Sequence, residues 1–131
     1  MIPRKLILFH FLLMITMLVS GCDDTIPNDI DIPAENVSYS RHIQPVLNVK
    51  CATNLCHDSA TRAGNYAMQS WTETNTSPYV IAGDPRNSVA VLVASGEIPP
   101  MMPPQNSSVL PFSDRELEGF KTWIKEGAKN N

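Results

Sequence analysis

Residues 51–57 read CATNLCH, and this stretch decides what kind of domain the chain forms. Four residues separate the two cysteines, and His57 follows Cys56 directly. The usual spacing for covalent haem attachment is C-x-x-C-H, so the loop between these cysteines is longer than usual. The stretch is therefore compatible with three kinds of site: a haem site with a stretched loop, a zinc site, or a disulfide beside a histidine.

Zinc and a disulfide each explain part of the motif. The C-x₄-C spacing is within the range of zinc ligands, and His42 and His57 could complete a tetrahedron. However, Cys56 and His57 are chain neighbours, and adjacent side chains converge poorly on one small ion. A Cys51–Cys56 disulfide closes a short loop, which stabilises little, and it leaves His57 without a role.

For haem, the adjacency of Cys56 and His57 is an advantage. The second cysteine bonds the porphyrin edge, while the imidazole of the next residue reaches the iron at the ring centre. Cys51 needs only to reach the other vinyl group, so the two extra residues can bulge outward. The motif therefore favours covalent haem over the other two readings.

A second signal is GEIPPMMPPQ at residues 96–105, which places Met101 and Met102 between pairs of prolines. A low-spin cytochrome iron commonly takes His on one side and Met on the other. Prolines with fixed φ angles restrain such a loop and lower the entropy lost in holding a ligand. The alternative is a Pro-rich surface turn whose methionines fill gaps in the core.

The N-terminal stretch has the layout of a secretory signal peptide. Arg4 and Lys5 precede an apolar run at residues 6–19, which is shorter than the roughly 20 residues of a membrane-spanning helix. The junction at residues 19–22, VSGC, resembles a bacterial lipobox, in which Cys22 becomes the lipidated first residue. We expect residues 1–21 to be a lipoprotein signal peptide, with an uncleaved signal anchor as the alternative. The chain is then lipid-anchored in the bacterial cell envelope, on its periplasmic or extracellular face.

Composition restricts the partners of the mature chain. Removing Arg4 and Lys5 from the 10 basic residues leaves 8 against 13 acidic residues, hence a formal charge of −5. An acidic surface argues against binding nucleic acid. With Cys22 lipidated, the remaining cysteines both lie in the motif, and in an oxidising compartment they should end in a covalent bond.

Residues 22–36 are rich in Asp, Asn and Pro and predict a flexible tether. Residues 37–131 then form one small domain. A domain of this size usually needs a staple or a cofactor to complete its interior, which also favours a prosthetic group.

Helical patterns flank the motif. The first helix is predicted from about Arg41 to Lys50, with Pro45 in its first turn, and it presents Cys51 at its end. A β-branched run from about Ser88 to Ser95 favours a helix, because the chain has no second apolar run to pair with it as a strand. A short helix is expected around residues 66–72.

The last helix has the clearest signals. Ser113 and Glu116 form a capping box, and Gly127 lies where a C-terminal cap is expected. One apolar face follows at helical spacing, with Leu117, Phe120, Trp123 and Ile124.

Taken in order, these features resemble a small class I c-type cytochrome domain and, more closely, the planctomycete-type cytochrome c domain of bacterial surface proteins. The resemblance implies an all-α fold, with an N-terminal helix ending at the haem motif, a C-terminal amphipathic helix and long loops between. The matching segments are residues 43–47 (IQPVL), 51–57 (CATNLCH), 83–85 (GDP) with Ser88 and Leu92, 102–104 (MPP), and 117–128.

By this resemblance, Cys51 and Cys56 hold one covalent haem c. His57 is the proximal iron ligand and Met102 the distal one, with Met101 as the alternative. Asp58 either orients the His57 imidazole or caps the next turn. Tyr66 and Trp71 are candidates for the pocket wall or for the core.

The resemblance implies a monohaem electron carrier that exchanges electrons with redox proteins of the envelope. With both axial positions filled by the protein, no substrate position is open, so we do not expect an enzyme. Two alternatives stay open: a haem-free binding or interaction module with a Cys51–Cys56 disulfide, and a redox or gas sensor in which Met102 detaches from the iron.

Overall fold

The computed structural model describes residues 30–131. The expected signal peptide, the expected lipidation site Cys22 and the first part of the expected tether lie outside the described residues. Helices make up 36% of the described residues and strands are absent from them, so the prediction of a helical domain with long loops is confirmed. None of the helices within residues 30–131 has the length and apolarity needed to cross a membrane.

The first helix begins earlier than the sequence indicated. A π-helical turn at Tyr39–Ile43 runs directly into helix α1 (Gln44–Lys50), which has Pro45 in its first turn. Ser38 caps the π-helical turn, because its hydroxyl accepts the N–H of Arg41. The helix ends at Cys51, whose N–H donates to the Leu47 carbonyl at 2.8 Å. The predicted delivery of Cys51 by this helix is therefore confirmed.

A 3-10 turn at Ala63–Asn65 and two short α-helices lie between the motif and the C-terminal helix. Helix α2 (Trp71–Thr74) begins several residues later than expected, because Ser70 caps it through the N–H of Glu73. Helix α3 (Val89–Ala94) matches the predicted run. The Ser88 hydroxyl does not cap α3: it donates to the Asp84 carbonyl at 2.8 Å and accepts the Ile81 N–H at 2.9 Å.

Helix α4 (Asp114–Lys125) forms as its sequence signals predict. Both hydrogen bonds of the capping box are present: the Ser113 hydroxyl accepts the Glu116 N–H, and the Glu116 carboxylate accepts the Ser113 N–H. Gly127 follows the helix with a positive φ of 101°. The buried face carries Phe120, Trp123 and Ile124, each at most 1% exposed. The Trp123 ring lies 5.1 Å from that of Tyr39, which packs α4 against the π-helical turn.

Packing extends into the segment expected to be a tether. Ile32 is buried and lies against Gly119 in the middle of α4. The Glu126 carboxylate accepts the backbone N–H groups of Asn36 and Val37 at 2.6 and 2.9 Å. Packing within the described residues thus includes Ile32, which belongs to the segment expected to be a tether.

Candidate functional site

Two adjoining cavities open beside the CATNLCH loop. Each has a volume of about 240 Å³, and they share Cys51, His57, Ala63, Gly64 and Met102 in their walls. Because the cavities share these walls, they form one cleft that extends on both sides of the motif.

Most of the cleft wall is apolar. The first cavity is completed by side chains from the loops and from α3: Tyr66, Met68, Tyr79, Val89, Ala90, Val93 and Pro100. The second is completed by Lys50, Leu55, Cys56, Pro103, Pro104, Ser107 and Val109. The cleft thus brings together Cys51, Cys56, His57 and Met102, which sequence reasoning selected from two segments about 45 residues apart.

Backbone hydrogen bonds hold the ends of the motif. The His57 N–H donates to the Cys51 carbonyl at 3.0 Å, which closes the loop between the two cysteines. The His57 carbonyl accepts the Met68 N–H at 2.8 Å, so the loop is also tied to the following segment. Asn54 and Leu55 are exposed, and Leu55 has a positive φ of 68°. The extra length of the loop is therefore accommodated by an outward bulge.

One ring nitrogen of His57 is already engaged. Nδ1 lies 3.0 Å from the Tyr66 carbonyl oxygen, which can only accept, so Nδ1 carries the proton. The lone pair then resides on Nε2, and the imidazole lines both cavities. Histidines that ligate metals characteristically donate their other N–H in this way, to a carbonyl or a carboxylate.

Asp58 does not orient the imidazole. Its Oδ1 accepts the N–H groups of Thr61 and Ala60 at 2.9 and 3.0 Å, which caps the next turn. Hydrogen bonds from Thr61 above all, and also from Ala60, hold the pKa of Asp58 below its ordinary value. Sequence reasoning missed the Tyr66 carbonyl, because a backbone partner nine residues away leaves no signal in residue type.

The structure distinguishes the two methionines. Met102 lines both cavities, and its N–H donates to the Val93 carbonyl at 2.9 Å, so helix α3 positions it. Met101 contributes to neither wall. Its sulfur instead lies over Gly96, where an added Cβ would be only 3.2 Å from Sδ.

Tyr66 contributes both its backbone carbonyl and its aromatic ring to the site. Its ring stacks on Tyr79 with centroids 3.9 Å apart and lies edge-on to His57 at 5.8 Å. Its hydroxyl donates to the Thr74 carbonyl at 2.6 Å, and burial raises the pKa of Tyr66. Of the two roles expected for Trp71, pocket wall or core, the structure shows the core. The side chain packs against the core cluster, and its Nε1 donates to the Ala128 carbonyl at 2.8 Å.

Both cysteines of the motif are free thiols in the structure and are partly buried. Burial, and then the neighbouring Cys56, raise the pKa of Cys51 to about 12, which keeps this thiol protonated at neutral pH.

Residues 30–131 contain no group of three or more His, Cys, Asp or Glu side chains that could hold a metal ion. His42 in particular is engaged elsewhere, since its Nδ1 accepts the Ser38 N–H at 2.9 Å. The arrangement thus offers no zinc tetrahedron made from protein side chains alone.

Comparison with known proteins does not place the chain in a family. No family model matches it, and neither does any curated protein or solved structure. The side chains around the cleft are therefore the basis on which a function can be assigned.

Proposed function

We propose that this chain is a monohaem c-type cytochrome that carries electrons at the bacterial envelope. One observation carries the proposal: two thiols, an imidazole and a thioether line the same apolar cleft, as Cys51, Cys56, His57 and Met102. These are the groups that attach haem c and fill its axial positions. Bound haem supplies an iron that passes between the ferrous and ferric states by one electron.

The residues present fit such a group. Cys51 and Cys56 would form the two thioethers, His57 would be the proximal ligand and Met102 the distal one. The Tyr66 carbonyl keeps the proton of His57 on Nδ1, which leaves Nε2 for the iron. The stacked rings of Tyr66 and Tyr79 form an apolar wall of the cleft.

The protein's part in electron transfer is to hold these ligands and to exclude water. Because His57 and Met102 would both ligate the iron, no iron position would be open to a substrate, so an electron carrier rather than an enzyme is proposed. Thioether ligation and an apolar cleft both favour the reduced, less charged iron and raise the reduction potential. The lipid anchor at Cys22, the envelope location and the redox protein partners belong to the same proposal.

The test is expression of the mature chain together with haem-attachment proteins. The product should be red and should keep its haem through acid–acetone extraction, because thioether bonds survive that treatment. A variant with both Cys51→Ala and Cys56→Ala should lose its haem on extraction, whereas His42→Ala should retain it. A colourless product with a Cys51–Cys56 disulfide would establish the haem-free module instead. Carbon monoxide binding by the ferrous protein would favour the sensor.

A further inference from the structure

The loop that presents the Tyr66 carbonyl to His57 has an unusual backbone conformation. Arg62, Gly64 and Asn65 all have a positive φ, of 49°, 62° and 62° respectively. Residues other than glycine adopt this region at a cost in free energy, so the surrounding structure has to hold Arg62 and Asn65 there. The position of the Tyr66 carbonyl therefore depends on what packs against this loop.

Tyr79 packs against the loop in two ways. Its hydroxyl donates to the Gly64 carbonyl at 3.2 Å, in the middle of the stretch with positive φ. Its ring stacks on the Tyr66 ring, with centroids 3.9 Å apart and planes 13° from parallel. Tyr79 is half-buried and lines the first cavity. It thus contacts the residue that supplies the acceptor for His57.

Helix α3 anchors Tyr79 in turn. The Ala90 N–H, in the first turn of α3, donates to the Tyr79 carbonyl at 3.0 Å. Near the other end of the same helix, the Val93 carbonyl accepts the Met102 N–H at 2.9 Å. Helix α3 therefore connects the segment behind His57 to the segment that carries Met102.

We propose that Tyr79 is a positioning residue for His57. By stacking on Tyr66, it holds the carbonyl that keeps the imidazole proton on Nδ1, and it thereby keeps the Nε2 lone pair available in the cleft. That this lone pair binds iron rests on the proposed function, whereas the positioning of the imidazole does not. The ring is the main contact, because aromatic rings bury a large area when they pack, whereas the hydroxyl bond is exposed.

Exchange of the His57 Nδ1 proton with D₂O tests this role in the ferrous holoprotein, by proton NMR. Tyr79→Leu keeps an apolar side chain in the cavity wall but removes the flat ring. It should exchange this proton about tenfold faster, the factor that corresponds to losing a hydrogen bond of ordinary strength. Tyr79→Phe keeps the ring and loses only an exposed hydroxyl, so its rate should stay within about threefold of that of the unchanged protein.

Ser113→Ala is the control for general destabilisation. It removes the cap of α4, and Ser113 lines neither cavity, so the exchange rate should stay close to that of the unchanged protein. Equal acceleration in Ser113→Ala and Tyr79→Leu would show that exchange follows overall stability, which would overturn the positioning role. Unchanged exchange in Tyr79→Leu would also overturn it, and a red protein with this result would leave the proposed function standing.

A colourless product would overturn the proposed function, and the same variants then test Tyr79 in the haem-free chain. The measurement is the pair of ring ¹⁵N shifts of neutral His57, which report the nitrogen that carries the proton. The unchanged chain and Tyr79→Phe should show the proton on Nδ1, and Tyr79→Leu should show a mixture of the two tautomers. The same tautomer in all three chains would contradict the positioning role.

Discussion

At the scale of single residues, the cleft depends on contacts between segments that are distant in the sequence. The motif and the Pro-flanked methionines were identifiable from residue type and spacing alone. The Tyr66 carbonyl that accepts from His57 could not be identified from the sequence, because every residue has a backbone carbonyl. Only the folded loop brings this carbonyl oxygen to 3.0 Å from Nδ1 of His57. The resemblance already favoured Met102 over Met101, and the fold adds that Met102 lines the cleft and that its N–H donates to the Val93 carbonyl.

The first prediction concerns Met102 as the proposed distal ligand. Met102→Ala should abolish the weak long-wavelength absorption band expected of an iron–thioether bond in the ferric holoprotein, because Met102 lines the cleft. Met101→Ala is the matched control and should keep the band, since Met101 lies over Gly96 instead. Loss of the band in Met101→Ala alone would reverse the assignment.

The second prediction concerns the Cys51 thiol in haem-free protein. Burial is the largest cause that raises its pKa, and burial is retained in a Cys22→Ala, Cys56→Ala chain, so the thiolate fraction there is small at neutral pH. Its alkylation rate by iodoacetamide should rise about tenfold per pH unit from about pH 8 to pH 11, since the thiolate is the nucleophile. The same chain in denaturant should level off above about pH 9, near the ordinary thiol pKa. A plateau near pH 9 in the folded chain would contradict the burial of Cys51.

At the scale of elements, prediction succeeded where the signals are local. Helix α4 was predicted accurately because its capping box, apolar face and terminal glycine all lie within about fifteen residues of one another. Helix α2 and the π-helical turn were placed less accurately. The π-helical turn is fixed by contacts with distant residues, such as the Ser40 N–H, which donates to the Asn131 carbonyl at 2.9 Å.

The third prediction tests the cap of α4. Ser113→Ala should lower the free energy of unfolding by about 1 kcal/mol, because it leaves a helix N–H without its acceptor. Urea unfolding followed by circular dichroism measures the change. Ser107→Ala is the control, since its hydroxyl bonds only the Val109 carbonyl in an exposed turn, and it should leave the midpoint nearly unchanged. An equal loss in both variants would mean that the cap has no specific effect.

The fourth prediction tests the packing of Ile32 on α4. An alanine in place of a helix-interior glycine ordinarily stabilises by up to about 1 kcal/mol. Here the added Cβ would collide with the Ile32 side chain, so Gly119→Ala should destabilise the protein by about 1–3 kcal/mol.

The control for this prediction is the Ile32→Ala background, in which the collision is removed. There Gly119→Ala should become neutral or stabilising, and the difference between the two backgrounds is the coupling energy. Stabilisation by Gly119→Ala in the unaltered chain would show that Ile32 does not pack on α4 and that residues 30–36 are a free tether.

At the scale of the whole molecule, the domain has a packed side and an open side. The π-helical turn and α4 share a buried aromatic core, in which the Trp123 ring contacts those of Tyr39 and Phe120. The other side consists of loops and α3 around an apolar cleft. Composition predicted a small domain that needs a prosthetic group, but the position of the cleft depends on how distant loops meet, which no local pattern encodes.

The central claim is that both motif cysteines carry one haem, and the intact mass of the purified chain tests it most directly. After coexpression with haem-attachment proteins and full denaturation, the mature chain should be heavier by the mass of one haem. It should also have no thiol at Cys51 or Cys56 available for alkylation. A chain without added haem mass, lighter by the two hydrogens of a Cys51–Cys56 disulfide, would contradict the account.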